Sequence, residues 1–162
     1  LIIGGTGGFG LATAEWLVER GARHIVLASR SGTPSEEAQP ALNAMRTVGV
    51  EVRTAAVDVA DGPALLRLIR SLGSRAPVKG IIHAAMVLDD RLIENMDREV
   101  IDTVLHPKVA GALNLLEAAR ELSLDYLLLY SSATTLLGNP GQYNYVAANG
   151  FLEGLAQQAH SE

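Results

Sequence analysis

Residues 1–10 read LIIGGTGGFG, and the reading of this decapeptide sets the organisation of the whole chain. Three apolar residues precede five glycines within seven positions: Gly4, Gly5, Gly7, Gly8 and Gly10. An apolar run entering such a turn predicts a buried strand that feeds a helix. Glycine admits backbone angles closed to other residues and lets another group approach the main chain closely. A helix N-terminus opened in this way suits a phosphate group. Gly4, Gly8 and Gly10 follow a G-x-x-x-G-x-G spacing rather than the tighter G-x-G-x-x-G. Taken alone, the glycines also admit a purely structural strand–helix turn.

Composition narrows what the turn can serve. The chain has 162 residues, 48% of them apolar, enough for one domain with a real core and too apolar for disorder. A net charge of -5 argues against nucleic acid or an anionic membrane surface as the main partner. Cysteine is absent, so no disulfide framework or thiolate metal site is expected, which fits a reducing cytoplasm. His24, His83, His106 and His160 are scattered without ligand spacing, and no metal site is expected. No apolar run approaches the roughly 20 residues of a membrane span, and no signal peptide is visible. The first residue already reads as strand, which predicts that the natural chain starts earlier.

Outward from the turn, strand and helix patterns alternate. Strands are expected at Leu1–Ile3, in HIVLAS, in EVRTAAVDV with Asp58 near its end, in VKGIIHAA and in DYLLLYSS. Helices are expected over Leu11–Arg20 with Gly21 closing it, from a Ser35 cap to about Val48, and over Pro63–Leu72. Two separate helices follow at Arg98–Leu105 and Lys108–Leu122, and a last one starts near Gln142. Near-continuous apolar strands joined by helices imply a parallel sheet covered on both faces. The predicted fold is therefore α/β, a Rossmann-like doubly wound sheet of order 3-2-1-4-5. The last strands and a lid are expected to be missing from it, leaving strand five as an edge.

Two positions bear on which nucleotide would sit on the turn. A dehydrogenase using NAD carries an acidic residue at the end of the second strand, to hold the ribose 2′-OH. This chain has Ser29 and Arg30 there, Arg30 lying 20 residues after Gly10. A guanidinium suits a 2′-phosphate by charge and by its forked donors, so NADPH is the expected cofactor; a solvated loop arginine is the alternative. Asp58 either accepts from an adenine amino group, with Val59 against the ring, or simply closes its strand with a turn.

Four later residues carry chemistry. Ser132 precedes Tyr145 by thirteen positions, and Tyr145 precedes Asn149 by four. Positions i and i+4 share a helix face, so Tyr145 and Asn149 are expected to point into one cleft. Lys108 is expected near a helix start, where the dipole gives a cation nothing; another task is implied. Hydride reduction of a ketone builds charge on its oxygen. A tyrosine hydroxyl can supply the proton, although free tyrosine titrates near ~10; a neighbouring ammonium favours the phenolate. Ser132 can donate to the same oxygen, and Asn149 can hold a water or the lysine in register.

With these pieces in view, the chain resembles the ketoreductase domain of type I polyketide synthases, within the short-chain dehydrogenase/reductases. The resemblance rests on GGTGGFG, SRSG, VDVAD, HAAMVLDD, HPKVAGALNL, YSSATT and GNPGQYNYVAANGFLEGLA, which span nearly the whole sequence. It implies Lys108, Ser132, Tyr145 and Asn149 as the catalytic set. Most short-chain reductases have the lysine four residues after the tyrosine; here that place is Asn149, a swap typical of these synthase domains. It implies an NADPH site built from Gly4, Thr6, Gly7, Gly8, Phe9, Gly10, Ser29, Arg30, Asp58, Val59, His83, Ala84 and Ala85, with Lys108 and Tyr145. It implies a β-ketoacyl chain on an acyl carrier protein as substrate, with neighbouring synthase domains as partners. Residues 1–162 would then be the NADPH-binding catalytic half of such a domain. Leu88, Asp89 and Asp90 match the motif of B-type ketoreductases, which give the D-hydroxyl product, and Leu137 stands where A-type domains have tryptophan. Ile3, Met86 and Tyr143 depart from the family's usual threonine, glycine and alanine, and Tyr143 could narrow the mouth of the cleft. The corresponding domain of a multifunctional fatty-acid synthase, a non-catalytic NADP-binding structural domain and a sugar-nucleotide epimerase are the alternatives. The four retained catalytic residues weigh against the second of these and Asn149 against the third.

Overall fold

In the computed structural model, residues 1–73 and 76–161 are described. The chain begins with strand β1 (Ile2–Ile3) and helix α1 (Gly8–Glu19), then β2 (His24–Ser29) and α2 (Gln39–Thr47). It continues through β3 (Glu51–Ala56), α3 (Gly62–Gly73), β4 (Gly80–His83) and α4 (Arg98–Arg120). It closes with β5 (Tyr126–Leu129), a short α5 (Thr134–Leu137) and α6 (Tyr143–Ser161). The strands form one parallel sheet in the order β3-β2-β1-β4-β5, as expected.

The alternation of side chains along a strand distributes the core. Ile2 packs with Ala14, Leu42, Met45 and Ile82, on the face covered by α1 and α2. Ile3 packs with Leu65, Ile69, Ile81 and Leu115, on the face covered by α3 and α4. Each of these isoleucine, leucine and methionine side chains, fully withdrawn from water, contributes about 1.5–3 kcal/mol. Ala112, Leu152 and Leu155 make a smaller cluster between α4 and α6, with Leu129 of β5 against it. On β5, Tyr126 and Leu128 remain partly exposed.

Register aligns the carboxyl ends of the strands. Ile3 pairs with Ala28 on one side and His83 on the other, and His83 pairs with Leu129. The residues that follow each strand therefore emerge along one line, where this topology gathers ligands.

Several boundaries differ from the sequence expectation. The helix expected to end at Leu105 and the one expected to begin at Lys108 are one continuous α4 with Pro107 inside it. A proline in a helix interior costs ~3 kcal/mol or more in isolation. Burial of Val100, Val104, Gly111, Ala112 and Leu115 along one face holds the helix through it. Its start is set by Asp97, whose Oδ1 accepts from Val100 N at 2.9 Å. The Ser35 side chain caps nothing; a single 3-10 turn, Glu36–Ala38, intervenes before α2. The strands stop sooner than their apolar runs because pairing ends: Val57 N on Ser29 O at 2.8 Å is the last rung of β3. Helix α1 starts at Gly8 rather than Leu11, and Gly21, at φ +102°, closes it as expected.

Candidate active site

The opening turn and the segments after β2, β3 and β4 enclose a cleft of about 640 Å³, within the range of small-ligand sites. Gly4, Gly7, Gly8 and Phe9 line it on one side, with Ala84, Ala85 and Met86 opposite. Ser29, Arg30, Asp58 and Val59 line its far end. The turn is tight by construction. A Cβ on Gly4, at φ +78°, would lie 2.6 Å from Ala85 N. A Cβ on Gly10 would run into the carbonyl oxygen of Gly4, so α1 can lie against β1 only with glycine there. Gly10 and the half-buried Thr6 consequently support the turn and do not form its wall.

The start of α1 has the character of an anion site. Its N-cap is Gly7, with no side-chain hydrogen bond, and no acidic residue stands in the first turn. The first-turn N–H groups thus lack a side-chain acceptor at the positive end of the helix dipole. Arg30 is exposed at the rim, and among the described residues no carboxylate pairs with it. Asp58 does close its strand, its Oδ1 accepting from Ala60 N at 2.9 Å, while also facing the cleft. These features fit a dinucleotide with an additional phosphate.

His83 departs from the expected cofactor contact. Its ring is fully buried below the cleft, with Nε2 3.1 Å from the carbonyl of Pro107. That bond places the proton on Nε2 and leaves Nδ1 buried without a partner. Burial, and after it the charge of Lys108, push the ring down to about 4. A neutral histidine therefore donates to a backbone carbonyl of α4 and ties β4 to that helix.

The chemical residues converge from three elements. Lys108, mid-helix in α4 and not at a helix start, is almost entirely buried. The dipole argument therefore does not apply to it; packing of α4 on the sheet aims it inward. Its Nζ donates to the carbonyl of Tyr130 at 2.9 Å and stands 5.7 Å from the centroid of the Tyr145 ring. Burial lowers its pKa to about 8. Tyr145 is half-buried, with its hydroxyl 3.7 Å from Sδ of Met86, a residue that lines the cleft. Ser132 Oγ accepts from Thr134 N at 3.2 Å and lies 2.9 Å from Thr134 Oγ1 as acceptor, so its own hydrogen stays available to donate.

Asn149 is not in the open cleft. It belongs to the buried stripe of α6, and its Nδ2 donates to the carbonyl of Tyr145 at 2.8 Å. Its Oδ1 is buried without a partner, an acceptor that a water or a cation would satisfy. Tyr143 is exposed and does not line this cleft.

The loop bearing Leu88, Asp89 and Asp90 is pinned to the segment before Tyr145. Asp89 forms a two-pronged pair with Arg91 at 2.8 and 3.1 Å. Gln142 Nε2 donates to Asp90 Oδ2 at 2.9 Å, Asn144 Nδ2 donates to the Asp89 carbonyl at 3.0 Å, and Arg91 N donates to the Gly141 carbonyl at 2.8 Å.

Three further residues shape the site without having been singled out by the sequence. Tyr130 accepts Lys108 on its carbonyl, stacks on Phe9 at 6.4 Å and meets Thr13 Oγ1 through its hydroxyl at 2.7 Å. Asn114 donates at 3.0 Å to the carbonyls of both Val59 and Ala60, bracing the turn after β3. Glu153 Oε1 accepts from Ser131 Oγ at 2.6 Å and lies 2.8 Å from Thr135 Oγ1, on either side of Ser132. None has a local signature, because each contact spans more than 17 residues of sequence; only HPKVAGALNL and YSSATT marked their neighbourhoods. Among the described residues there is no cluster able to hold a metal and no helix long and apolar enough to cross a membrane.

A doubly wound sheet, an uncapped glycine turn and a Lys–Tyr pair at the cleft edge define an oxidoreductase domain of the short-chain dehydrogenase/reductase class. The chain belongs to the KR domain family, whose profile matches residues 1–162. Among curated proteins it is 46% identical over 158 residues to phenolphthiocerol synthesis polyketide synthase type I Pks15/1 of Mycobacterium marinum, covering 96% of the chain and 8% of that protein. It is 38% identical over 162 residues to reducing polyketide synthase DEP5 of Alternaria brassicicola, all of the chain but 7% of that protein. The chain thus spans a small fraction of the relatives it matches. Among solved structures, a ketoreductase domain from the bacillaene assembly line superimposes with a TM-score of 0.92 at 38% identity, covering 99% of this chain and 39% of that one. An A-type ketoreductase from a modular polyketide synthase does so with 0.92 at 37%, covering 99% and 34%.

Proposed function

We propose that the chain reduces the β-keto group of an acyl thioester carried on an acyl carrier protein to the β-hydroxyl, with NADPH as cofactor, during polyketide chain extension. Residues 1–162 are the NADPH-binding catalytic half of the ketoreductase domain in this reading. The observation that carries it is the Lys108 ammonium set over the Tyr145 ring, beside the glycine-turn cleft.

In this reading the first-turn N–H groups after Gly7 hold the pyrophosphate, Arg30 the 2′-phosphate, and Asp58 and Val59 the adenine. The bound cofactor supplies the hydride. Tyr145 donates its phenolic proton to the developing alkoxide, and Lys108 stabilises the charge left on the phenolate. Ser132 Oγ–H donates to the same oxygen and fixes its place. Asn149 offers its unpartnered Oδ1 to a water or to the lysine. Leu88, Asp89 and Asp90, braced against Gln142 and Asn144, steer the acyl chain to the face that gives the D-hydroxyl, as in B-type domains.

The test is NADPH oxidation by the full-length protein with a β-ketoacyl thioester, beside Tyr145→Phe. Turnover by the parent, none by the variant and NADPH affinity kept within about threefold support the reading, since one hydroxyl at the site edge contributes little to cofactor binding. Normal turnover by Tyr145→Phe overturns it. The chirality of the product decides the stereochemical part.

A further inference from the structure

We propose that Glu153 is a positioning residue for Ser132, holding the serine's turn against the helix that carries Tyr145. The inference rests on the proposed catalytic role of Ser132. Ser131 Oγ donates to Glu153 Oε1 at 2.6 Å. Thr135 Oγ1 lies 2.8 Å from the same oxygen and 2.8 Å from the Ser132 carbonyl, so its one hydrogen ties the two together. The carboxylate thus grips the residue before Ser132 and the residue three after it.

Among the described residues, the turn's other hydrogen bonds are internal to it: Thr134 N and Oγ1 on Ser132 Oγ, and Thr135 N on the Ser132 carbonyl. Helix α5 is a single turn whose N-cap residue, Ala133, makes no side-chain cap. Leu136 and Leu137, which follow, are 86% and 83% exposed and anchor nothing. By contrast α6 is 19 residues long and packs on α4 through Leu152 and Leu155. Tyr145, Asn149 and Glu153 recur at i, i+4 and i+8 and share one face of it. Glu153 therefore refers Ser132 to the same rigid body as Tyr145, so the two donors that meet one substrate oxygen keep a common frame. Both hydroxyl bonds favour the ionised carboxylate and hold Glu153 below the usual carboxylate range. The grip is thus charge-assisted.

The experiment is a double-mutant cycle of Glu153→Ala with Ser132→Ala in the full-length protein, read as kcat and KM for a β-ketoacyl thioester and NADPH. Released from Glu153, the turn misplaces the serine, so Glu153→Ala is expected to lower kcat about tenfold with KM for NADPH unchanged. In the Ser132→Ala background the same change is expected to matter by less than about twofold, because the interaction it serves is already gone. Glu153→Gln keeps an acceptor Oε1 and restores most of kcat. Equal losses in both backgrounds, or no loss in the parent, overturn the inference. Full activity of Ser132→Ala alone removes the serine's role, and this inference with it; a Ser132→Ala loss with a background-independent Glu153→Ala loss overturns the Glu153 inference only. Should Glu153→Ala fail to fold, Ser131→Ala with Thr135→Val deletes both Glu153 bonds from the other side, together with the Thr135 bond to the Ser132 carbonyl, and its effect must show the same dependence on Ser132.

Discussion

The Nζ of Lys108 donates to the carbonyl of Tyr130 across 2.9 Å, joining the middle of α4 to the residue that follows β5. Two residues further on is Ser132. The cation, the serine and, through the ring contact, Tyr145 are thereby held to one another by three different elements.

Burial brings Lys108 down to about 8, so the ammonium is present below that pH and lost above it. Activity is expected to fall as pH rises through about 8. Lys108→Met lowers kcat by about 10²-fold, the scale of a proton-transfer aid, and its residual activity lacks this alkaline limb. A pH profile of kcat for parent and variant measures both; an unchanged limb in Lys108→Met assigns it to another group.

Buried His83 titrates at about 4 when folded, against an ordinary 6.5. Between those values the unfolded chain binds a proton that the folded chain refuses, so stability falls as pH drops from 6.5 to 4, by about 3 kcal/mol in all. His83→Gln retains a donor for the Pro107 carbonyl but no titration. Thermal melts from pH 4 to 7 are expected to show a flatter dependence in the variant; parallel curves would exclude His83 as the source.

Arg30 has no carboxylate partner among the described residues and stands at the rim of the cleft. Arg30→Ala is expected to weaken NADPH by about 10- to 100-fold, the worth of a charged hydrogen bond. NADH, without the 2′-phosphate, should change by less than about threefold on the same grounds. Fluorescence titration with both cofactors compares them, and equal losses would remove the 2′-phosphate argument.

Gly10 and Gly154 both lie in helices and respond oppositely to alanine. At Gly10 the new methyl meets the Gly4 backbone, which cannot yield without opening the turn. A loss of about 1–3 kcal/mol is expected, with weakened NADPH binding. At Gly154 nothing lies within 4 Å, and alanine should stabilise by about 0.5–1 kcal/mol. Denaturant midpoints of the two variants check the contrast.

Much of this was legible in the chain because it is encoded locally. The glycine turn, the apolar strands and Gly21 each carry their own signal, and β1 to β5 followed in the expected order. The errors came where tertiary packing overrode a local rule. Pro107 reads as a break, yet α4 runs through it because its buried face outweighs one missing hydrogen bond. Asn149 reads as a cleft residue by its spacing from Tyr145, yet its side chain is buried and turned back onto the Tyr145 carbonyl. His83 reads as a cofactor contact by its place after β4, yet it points beneath the cleft to Pro107.

By itself the sequence determined the fold class and the strand order, and its motifs, with the family resemblance they carry, pointed to the four residues on which the chemistry is proposed to rest. Fold class and strand order depend on periodicity and glycine placement, which short-range physics translates directly into elements. Only the tertiary structure decided which partners these residues have: Lys108 on Tyr130, Asn149 on the Tyr145 carbonyl, Asp89 on Arg91, and Glu153 on the turn of Ser132. All but the Asn149 and Asp89 contacts join residues 22 apart, and such contacts exist only once separate elements dock, so no local pattern announces them.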